Sequence, residues 1–355
     1  MYYRLLPEIY LIKGVKNFIL SNVLTGEIIS LDAQTGALIE SAEKNQSFNE
    51  EPMVFKRLCE MGWMQKKGEP VFVEKLRFTN VFNKRRAWKF FPQIQNLILQ
   101  ISNRCNTNCS KIGCENAFCP SCLPNDQLKQ ELSFDEWKQI LDNLKNLNPE
   151  SVILTGGNPT LHKNFTEIHA YASNMFEHVF VTVSDVDILK KLPNNSNVNL
   201  LLFHQKDAAK FRASDYSNLN VVPYYNKDTV KVKEGIPVNF GDVTFQKTSF
   251  QKKLSFAEQF IRRMYDSCLT GKITVLCDGT LVPCMGCKDD VIGNLLKEDM
   301  AILMRKLYHE YWEKDVDQQV GRKCLGCEYR YNCSSCIKMK DHQCGYNIEE
   351  GIWNS

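Results

Sequence analysis

Five of the chain's 15 cysteines are crowded onto one stretch: Cys105, Cys109, Cys114, Cys119 and Cys122. They follow Leu97-Ile98-Leu99-Gln100-Ile101, an apolar run that reads as a buried strand. Thiolates grouped at a strand end and carried on a turn are a soft-metal site, suited to zinc or to an iron–sulfur cluster. A second set occupies the C-terminal third. Its first group is Cys268-x10-Gly279-x4-Cys284-x2-Cys287, and its second is Cys324-x2-Cys327-x5-Cys333-x2-Cys336-x7-Cys344. With Cys277 the set has nine thiols, more than one tetrahedral zinc can use, and eight satisfy two four-thiolate sites of either metal. Spacing alone leaves zinc and iron both open.

The elements that must position these thiols show in the hydrophobic periodicity. Ser133 and Glu136 form a capping box, and Phe134, Trp137, Ile140, Leu141, Leu144 and Leu147 line one face of the helix it opens. Val152-Ile153-Leu154 is a short strand ending in Thr155-Gly156-Gly157-Asn158-Pro159. A helix over 164–176, a strand over 179–184, a helix over 186–192, a strand over 198–203, a helix over 207–216 and a strand over 220–224 follow. Strands alternating with helices predict right-handed βαβ units and an α/β fold around a parallel sheet. About five strands are counted, with Ile236 to Phe240 as a sixth, so the architecture is a partial (β/α) barrel or an open sheet. Ligands on such sheets bind at the carboxyl ends of the strands. The cysteine stretch and the Gly-Gly turn both lie there and should share one rim.

Before this region, Tyr10-Leu11-Ile12, Phe18-Ile19-Leu20 and Ile28-Ile29-Ser30-Leu31 are separated by Lys13-Gly14 and Thr25-Gly26, which is hairpin punctuation. Helical patterns follow over 33–42 and over 53–61, the second with Val54, Leu58 and Met61 on one face. This is a small α+β module over 1–80, read on pattern alone as a packing or dimerisation domain. Residues 81–94 are a linker whose mixed basic and aromatic residues fit a solvated segment better than a contact to RNA or to an acidic peptide. The parallel-sheet domain covers 95–253, and a cysteine-rich domain covers 254–355, opening with a helix over 254–265.

A length of 355 residues suits two or three domains. A net charge of +3 is too small to argue for nucleic acid or a membrane surface. No apolar run approaches the ~20 residues of a membrane span, and Pro7 and Glu8 interrupt any signal-peptide core. The expected compartment is the cytoplasm, where close-set cysteines are reduced and metal-bound.

Taken together, three motifs resemble the radical S-adenosylmethionine (SAM) enzymes that carry a SPASM domain, a group with many ribosomal peptide maturases. They are Ile101-Ser102-Asn103-Arg104-Cys105-Asn106-Thr107-Asn108-Cys109, Thr155-Gly156-Gly157-Asn158-Pro159-Thr160-Leu161-His162, and the paired C-terminal cysteine groups. The resemblance covers about residues 95 to 350, and the N-terminal module is similar to a winged-helix-type leader-peptide-binding domain. It implies a [4Fe–4S] cluster at the SAM site on Cys105, Cys109 and one of Cys114, Cys119 or Cys122. The usual Cys-x3-Cys-x2-Cys spacing would put its third ligand at Ile112, so the loop carries an insertion. The cosubstrate would be flanked by Gly156, Gly157, Asn158, Pro159 and Ser184, with Asn158 standing where the family has Glu. Two auxiliary [4Fe–4S] clusters are implied, one on Cys324, Cys327, Cys333 and Cys344, the other on Cys268, Cys284, Cys336 and a fourth thiol. If Asp278-Gly279 is a two-residue hairpin turn, Cys277 sits at its tip, on the order of 13 Å along the ladder from Cys284. That favours Cys287 as the fourth and leaves Cys277 and Cys59 as packed thiols. The implied function is modification of a ribosomally made precursor peptide by 5'-deoxyadenosyl-radical hydrogen abstraction, with a partner maturase or a reductant protein as further partners. The alternatives are a catalytically inactive scaffold presenting the peptide to a partner enzyme, and a zinc-stabilised interaction protein. His162, His204, Tyr224 and Tyr225 read as loop and sheet residues, not catalysts.

Overall fold

The computed structural model describes residues 1–76, 94–105, 130–202, 205–225, 262, 265–266, 269–285, 287, 289–313, 326–332, 346–347, 350 and 352–353. They fall into two units: one of residues 1–87, 247–268 and 313–355, the other of residues 88–246 and 269–312.

In the first unit, β1 (Tyr2–Leu5) precedes a three-stranded antiparallel meander of β2 (Ile9–Lys13), β3 (Phe18–Asn22) and β4 (Ile28–Leu31). Helices α1 (Ala33–Glu43) and α2 (Met53–Glu60) follow, then β5 (Met64–Lys67), which pairs antiparallel with β1. The meander and both helices stand where the periodicity placed them. Strands β1 and β5 were not anticipated, because each is only four residues long and neither has a hairpin partner next to it in sequence. Asp32 starts α1 by accepting the Thr35 backbone N–H on its side chain at 2.7 Å. Tyr3, Leu5, Ile9, Leu20, Ile39, Phe55, Leu58 and Trp63 form the core. On α2 the buried residues are Phe55 and Leu58, whereas Met61 is 46% exposed, because the helix ends one residue earlier and the chain turns at Gly62. Arg4 is buried and donates to the carbonyls of Val71, Ala42 and Glu43, closing the ends of three segments.

The second unit is built on an eight-stranded sheet. Its strands are β6 (Asn96–Ser102), β7 (Ser151–Gly156), β8 (Val179–Val183), β9 (Asn197–Leu202), β10 (Asn220–Tyr225), β11 (Lys272–Val275), β12 (Thr280–Val282) and β13 (Gly293–Asn294). The spatial order is β10-β9-β8-β7-β6-β11-β12-β13, parallel from β10 to β11 and antiparallel thereafter. The first five parallel strands are those expected. Beside β6, the sixth is Lys272–Val275, which the sequence showed only as half of a hairpin. The segment 236–240 lies outside the described residues.

Helix α3 (Phe134–Lys145) connects β6 to β7, and α4 (Phe165–Met175) connects β7 to β8. Ser133 and Glu136 make the capping box in full, and Trp137, Ile140, Leu141 and Leu144 are buried. The pattern over 186–192 forms a 3-10 helix, Val186–Lys191, and that over 207–216 splits into α5 (Gln205–Lys210) and a 3-10 turn, Ala213–Tyr216. Both are too short to hold a regular helix against the sheet. Helix α6 (Met300–Leu307) starts at Asp299, whose side chain accepts the N–H groups of Ala301 and Ile302. The helix expected over 254–265 and the linker over 81–94 lie mostly outside the described residues. Among the described residues, no helix is long and apolar enough to cross a membrane.

Candidate active site

The carboxyl ends of β6 and β7 meet in a tight main-chain contact. Ser102 ends β6 beside Gly156, where the pairing register shifts. The Gly157 N–H donates to the Ser102 carbonyl at 3.1 Å, and the Asn158 N–H donates to the Arg104 carbonyl at 2.7 Å. Both glycines are required. Gly156 has φ +153°, and a Cβ there would strike the Ser102 carbonyl; a Cβ on Gly157 would strike the Arg104 carbonyl and sit 2.7 Å from the Cys105 Cβ. The first cysteine of the loop is therefore stacked directly on the Gly-Gly turn, as a shared rim requires, and its residue is exposed.

Both limbs of the cysteine loop are pinned here. Glu131, on the returning limb, accepts hydrogen bonds from Ser102 Oγ and from Arg104 Nε and Nη2, the last at 2.6 Å. Arg104 and Glu131 lie 27 positions apart, so this ion pair ties the loop's base together. Burial would raise the Glu131 carboxyl, but the Arg104 guanidinium and the Ser102 hydroxyl hold it below the ordinary carboxylate value. The next residue, Leu132, donates its N–H to the Cys277 carbonyl at 2.9 Å. Its carbonyl lies 2.9 Å from His162 Nε2. Since His162 Nδ1 accepts the Asn164 N–H, the imidazole carries its proton on Nε2 and donates to Leu132. His162 is a brace between the two strand-end loops, in keeping with its reading as a loop residue.

Asn158 is buried, and its Oδ1 accepts both the N–H and the hydroxyl of Thr160, at 3.0 and 2.7 Å. That caps a 3-10 turn over Pro159–Leu161 and commits the side-chain oxygen within the motif. Ser184 follows β8 and is buried at the same end of the sheet. Its neighbour Asp185 is spent as a cap, accepting the Asp187 N–H at 2.9 Å.

Among the C-terminal cysteines, Cys284 and Cys287 are 1% and 5% exposed and joined by a turn in which the Cys287 N–H donates to the Cys284 carbonyl at 3.0 Å. Two buried cysteines on one tight turn fit a chelating pair. The β11–β12 hairpin corrects the two-residue turn. Thr274 faces Val282 and Val275 faces Leu281, so the connection is Cys277-Asp278-Gly279, with Gly279 at φ +80° and its N–H bonded to the Leu276 carbonyl. A three-residue loop closed by a left-handed glycine accounts for the extra residue. Cys277 is fully buried in it. In the first unit Cys59 packs against the module's core, and burial raises its thiol. Cys327 is buried in a turn held on the β2–β3 hairpin: the Val15 N–H donates to the Gly326 carbonyl, and Arg330 Nη1 donates to the carbonyls of Lys13 and Cys327. That attachment of a C-terminal thiol turn to the N-terminal module left no trace in the sequence.

Cys109, Cys114, Cys119, Cys122, Cys268, Cys324, Cys333, Cys336, Cys344 and His204 lie outside the described residues. Among the described residues, no three metal-ligating side chains converge.

No protein-family model matches the chain. PqqA peptide cyclase of Bradyrhizobium diazoefficiens is 30% identical over 79 residues, and PqqA peptide cyclase of Rhodopseudomonas palustris is 29% identical over 79 residues. Each match covers 22% of this chain and 19% of the relative, so the chain spans about a fifth of the length of these curated relatives. Streptococcus suis SuiB bound to precursor peptide SuiA is similar over 94% of both chains, at 13% identity and a TM-score of 0.44. BtrN in complex with AdoMet and 2-DOIA covers 70% of this chain and 96% of its own, at 14% identity and a TM-score of 0.39. The chain resembles the radical SAM peptide maturases, and the sequence similarity to two peptide cyclases supports that likeness.

Proposed function

We propose that this chain is a radical SAM enzyme of the SPASM type that modifies a ribosomally made precursor peptide. The observation that carries the reading is the stacking of Cys105 on the Gly156-Gly157 turn at the carboxyl rim of a parallel sheet. The similarity to two peptide cyclases supports a peptide as substrate. Cys105, Cys109 and one of Cys114, Cys119 or Cys122 would hold a [4Fe–4S] cluster, and Gly156, Gly157, Asn158, Pro159 and Ser184 would flank S-adenosylmethionine. Bound there, these groups supply an electron and a 5'-deoxyadenosyl radical for hydrogen abstraction. Cys284 and Cys287, and Cys327 on its own turn, would each hold part of an auxiliary cluster. The module over 1–80 would take the leader segment of the peptide.

The chain's own residues position the site. The glycine pair lets the two strand ends approach to hydrogen-bond distance, which fixes the direction in which Cys105 leaves β6. The Arg104–Glu131 pair closes the base of the loop, and His162 joins the returning limb to the segment after the glycines. Asn158 contributes shape, since its oxygen is committed to Thr160. An electrostatic grip on a cosubstrate ammonium then depends on main-chain carbonyl dipoles, weaker than a carboxylate.

The test is anaerobic reconstitution followed by assay for 5'-deoxyadenosine. About twelve irons per chain indicate three cubanes, and about eight leave the first site empty. Deoxyadenosine formed at the higher loading supports the reading. Its absence from fully loaded protein sinks it.

A further inference from the structure

One face of the parallel sheet is apolar across β6, β7 and β8 at one level and polar on the same strands at the next, with Thr274 on β11, the register partner of Ile98, as a buried polar neighbour at the lower level. At the lower level, Ile98, Ile153 and Phe180 are register partners on β6, β7 and β8, and Leu276, Val282 and Met285 pack with them. Two residues nearer the carboxyl ends, and so on the same face, stand Gln100 on β6, Thr155 on β7, Thr182 on β8 and Asn199 on β9. Gln100 pairs with Thr155, and Thr182 with Asn199. Gln100 and Thr155 are fully buried, and Thr182 nearly so. Among the described residues, neither Nε2 nor Oε1 of Gln100, nor Oγ1 of Thr155, has a hydrogen-bond partner. Native proteins rarely bury a carboxamide with both ends unmet, because desolvation is then uncompensated. A leucine at 100 and a valine at 155 would fill the same volume without that cost. The polar pair sits one residue below the Gly156 turn, immediately under the proposed reaction rim.

The row has the dimensions of a particular ligand. Four strands about 4.8 Å apart extend over about 14 Å, the length of roughly four residues of extended chain. A glutamine carboxamide offers a donor and an acceptor side by side, the complement of a peptide group's carbonyl and N–H. A nucleoside base would engage one strand's worth of such a row, whereas an extended main chain reaches both Gln100 and Thr155 on adjacent strands.

We propose that Gln100 and Thr155 bind the main chain of an extended segment of the substrate peptide, laid across β6 to β9 above the Ile98–Ile153–Phe180 floor. This rests on the peptide-modifying reading and adds the residues that would seat the peptide. The full chain, anaerobically reconstituted with its clusters, is screened against a library of N-acetylated, C-amidated tetrapeptides by saturation-transfer NMR. S-adenosylmethionine affinity is measured in parallel by equilibrium dialysis. Wild type is expected to bind a subset of the library. Gln100→Leu and Thr155→Val are each expected to weaken that binding about tenfold or more, leave cosubstrate affinity unchanged and raise Tm, because an unmet buried polar group has been removed. Should Gln100→Leu fail to fold, Thr155→Val, which keeps the side-chain shape, carries the test. An equal loss of cosubstrate affinity would place the pair in the nucleoside pocket and overturn the proposal. A lowered Tm with tetrapeptide binding intact would make the pair part of a buried-water network, and no tetrapeptide bound by wild type would also overturn it. Binding is read without turnover, so a failure to form 5'-deoxyadenosine is a separate result that bears on the radical reading alone.

Discussion

Adding a single carbon at position 157 is expected to disable the rim while leaving the sheet folded. In Gly157→Ala the new Cβ falls 2.7 Å from the Cys105 Cβ, about 0.7 Å inside ordinary contact at 3.4 Å, and nearer still to the Arg104 carbonyl oxygen. No side-chain rotation relieves this, because the atoms struck are main chain or directly attached to it. Hydrogen bonds from Gly157 to Ser102 and from Asn158 to Arg104 pin the backbone on both sides. The segment Arg104–Cys105 must therefore move. Overpacking of this kind costs about 1–3 kcal/mol, which lowers Tm by roughly 2–12 °C for a unit of this size. Functionally the displacement matters more, since misplacing a positioned group by about 1 Å can cost roughly 100-fold in rate. A shift of about 0.7 Å at the first thiol should cost 5'-deoxyadenosine formation roughly tenfold to 100-fold. The assay pairs that rate with iron content and Tm on the same preparation. Gly62→Ala is the control: Gly62 has φ +68° and nothing within 4 Å, so it bears only the left-handed backbone cost of about 1–2 kcal/mol. It should leave iron and rate unchanged. A Gly157→Ala protein with wild-type iron, rate and Tm would refute the claim that the glycine turn seats Cys105.

Three further outcomes follow from the same geometry. Ser133→Ala removes the capping box of α3 and should cost about 1 kcal/mol, seen as a lower urea midpoint. Cys284→Ala and Cys287→Ala should each lower iron per chain, while Cys277→Ala, a thiol buried in the hairpin loop, should keep its iron and lose only about 1 kcal/mol or so of packing; equal iron loss in all three would disprove the assignment. Glu131→Gln should destabilise the protein at neutral pH, and the difference from wild type should shrink on acidification. The sign follows from a lowered carboxyl: its contribution is present above its unfolded value and is lost as pH falls through its folded one. Denaturation of both proteins between pH 7 and pH 3 checks this, with exposure of Arg104 keeping the effect modest.

The sequence disclosed what depends on local pattern. The β6–α3–β7–α4–β8 run was legible because apolar residues recur at the right period and Ser133 with Glu136 marks a helix start. Two strand ends bearing chemistry-capable turns had to share a rim once the sheet was parallel. What escaped was set by distant contacts. Strand β11 looks like half of a hairpin, and it is one, but its other edge pairs with β6, far away in sequence. The β1–β5 pair joins segments about 60 positions apart, and Glu131 is unremarkable until folding brings it against Arg104.

Position 158 differs from the glutamate of the family that the chain resembles, and the structure gives the asparagine a role of its own. A glutamate in the Gly-Gly turn would bring a carboxylate to the rim. Asparagine is one methylene shorter, and its oxygen reaches the N–H and hydroxyl two residues on, which makes Asn158-Pro159-Thr160 a self-contained cap. That cap holds the segment after Gly157 rigid, and the Asn158 N–H in turn holds the Arg104 carbonyl. Asparagine at 158 therefore supports the placement of Cys105 and brings no charge to the turn. The fit is close on both sides, since a Cβ at Gly157 would strike the Arg104 carbonyl and the Cys105 Cβ, so the turn and the first thiol can be placed only together.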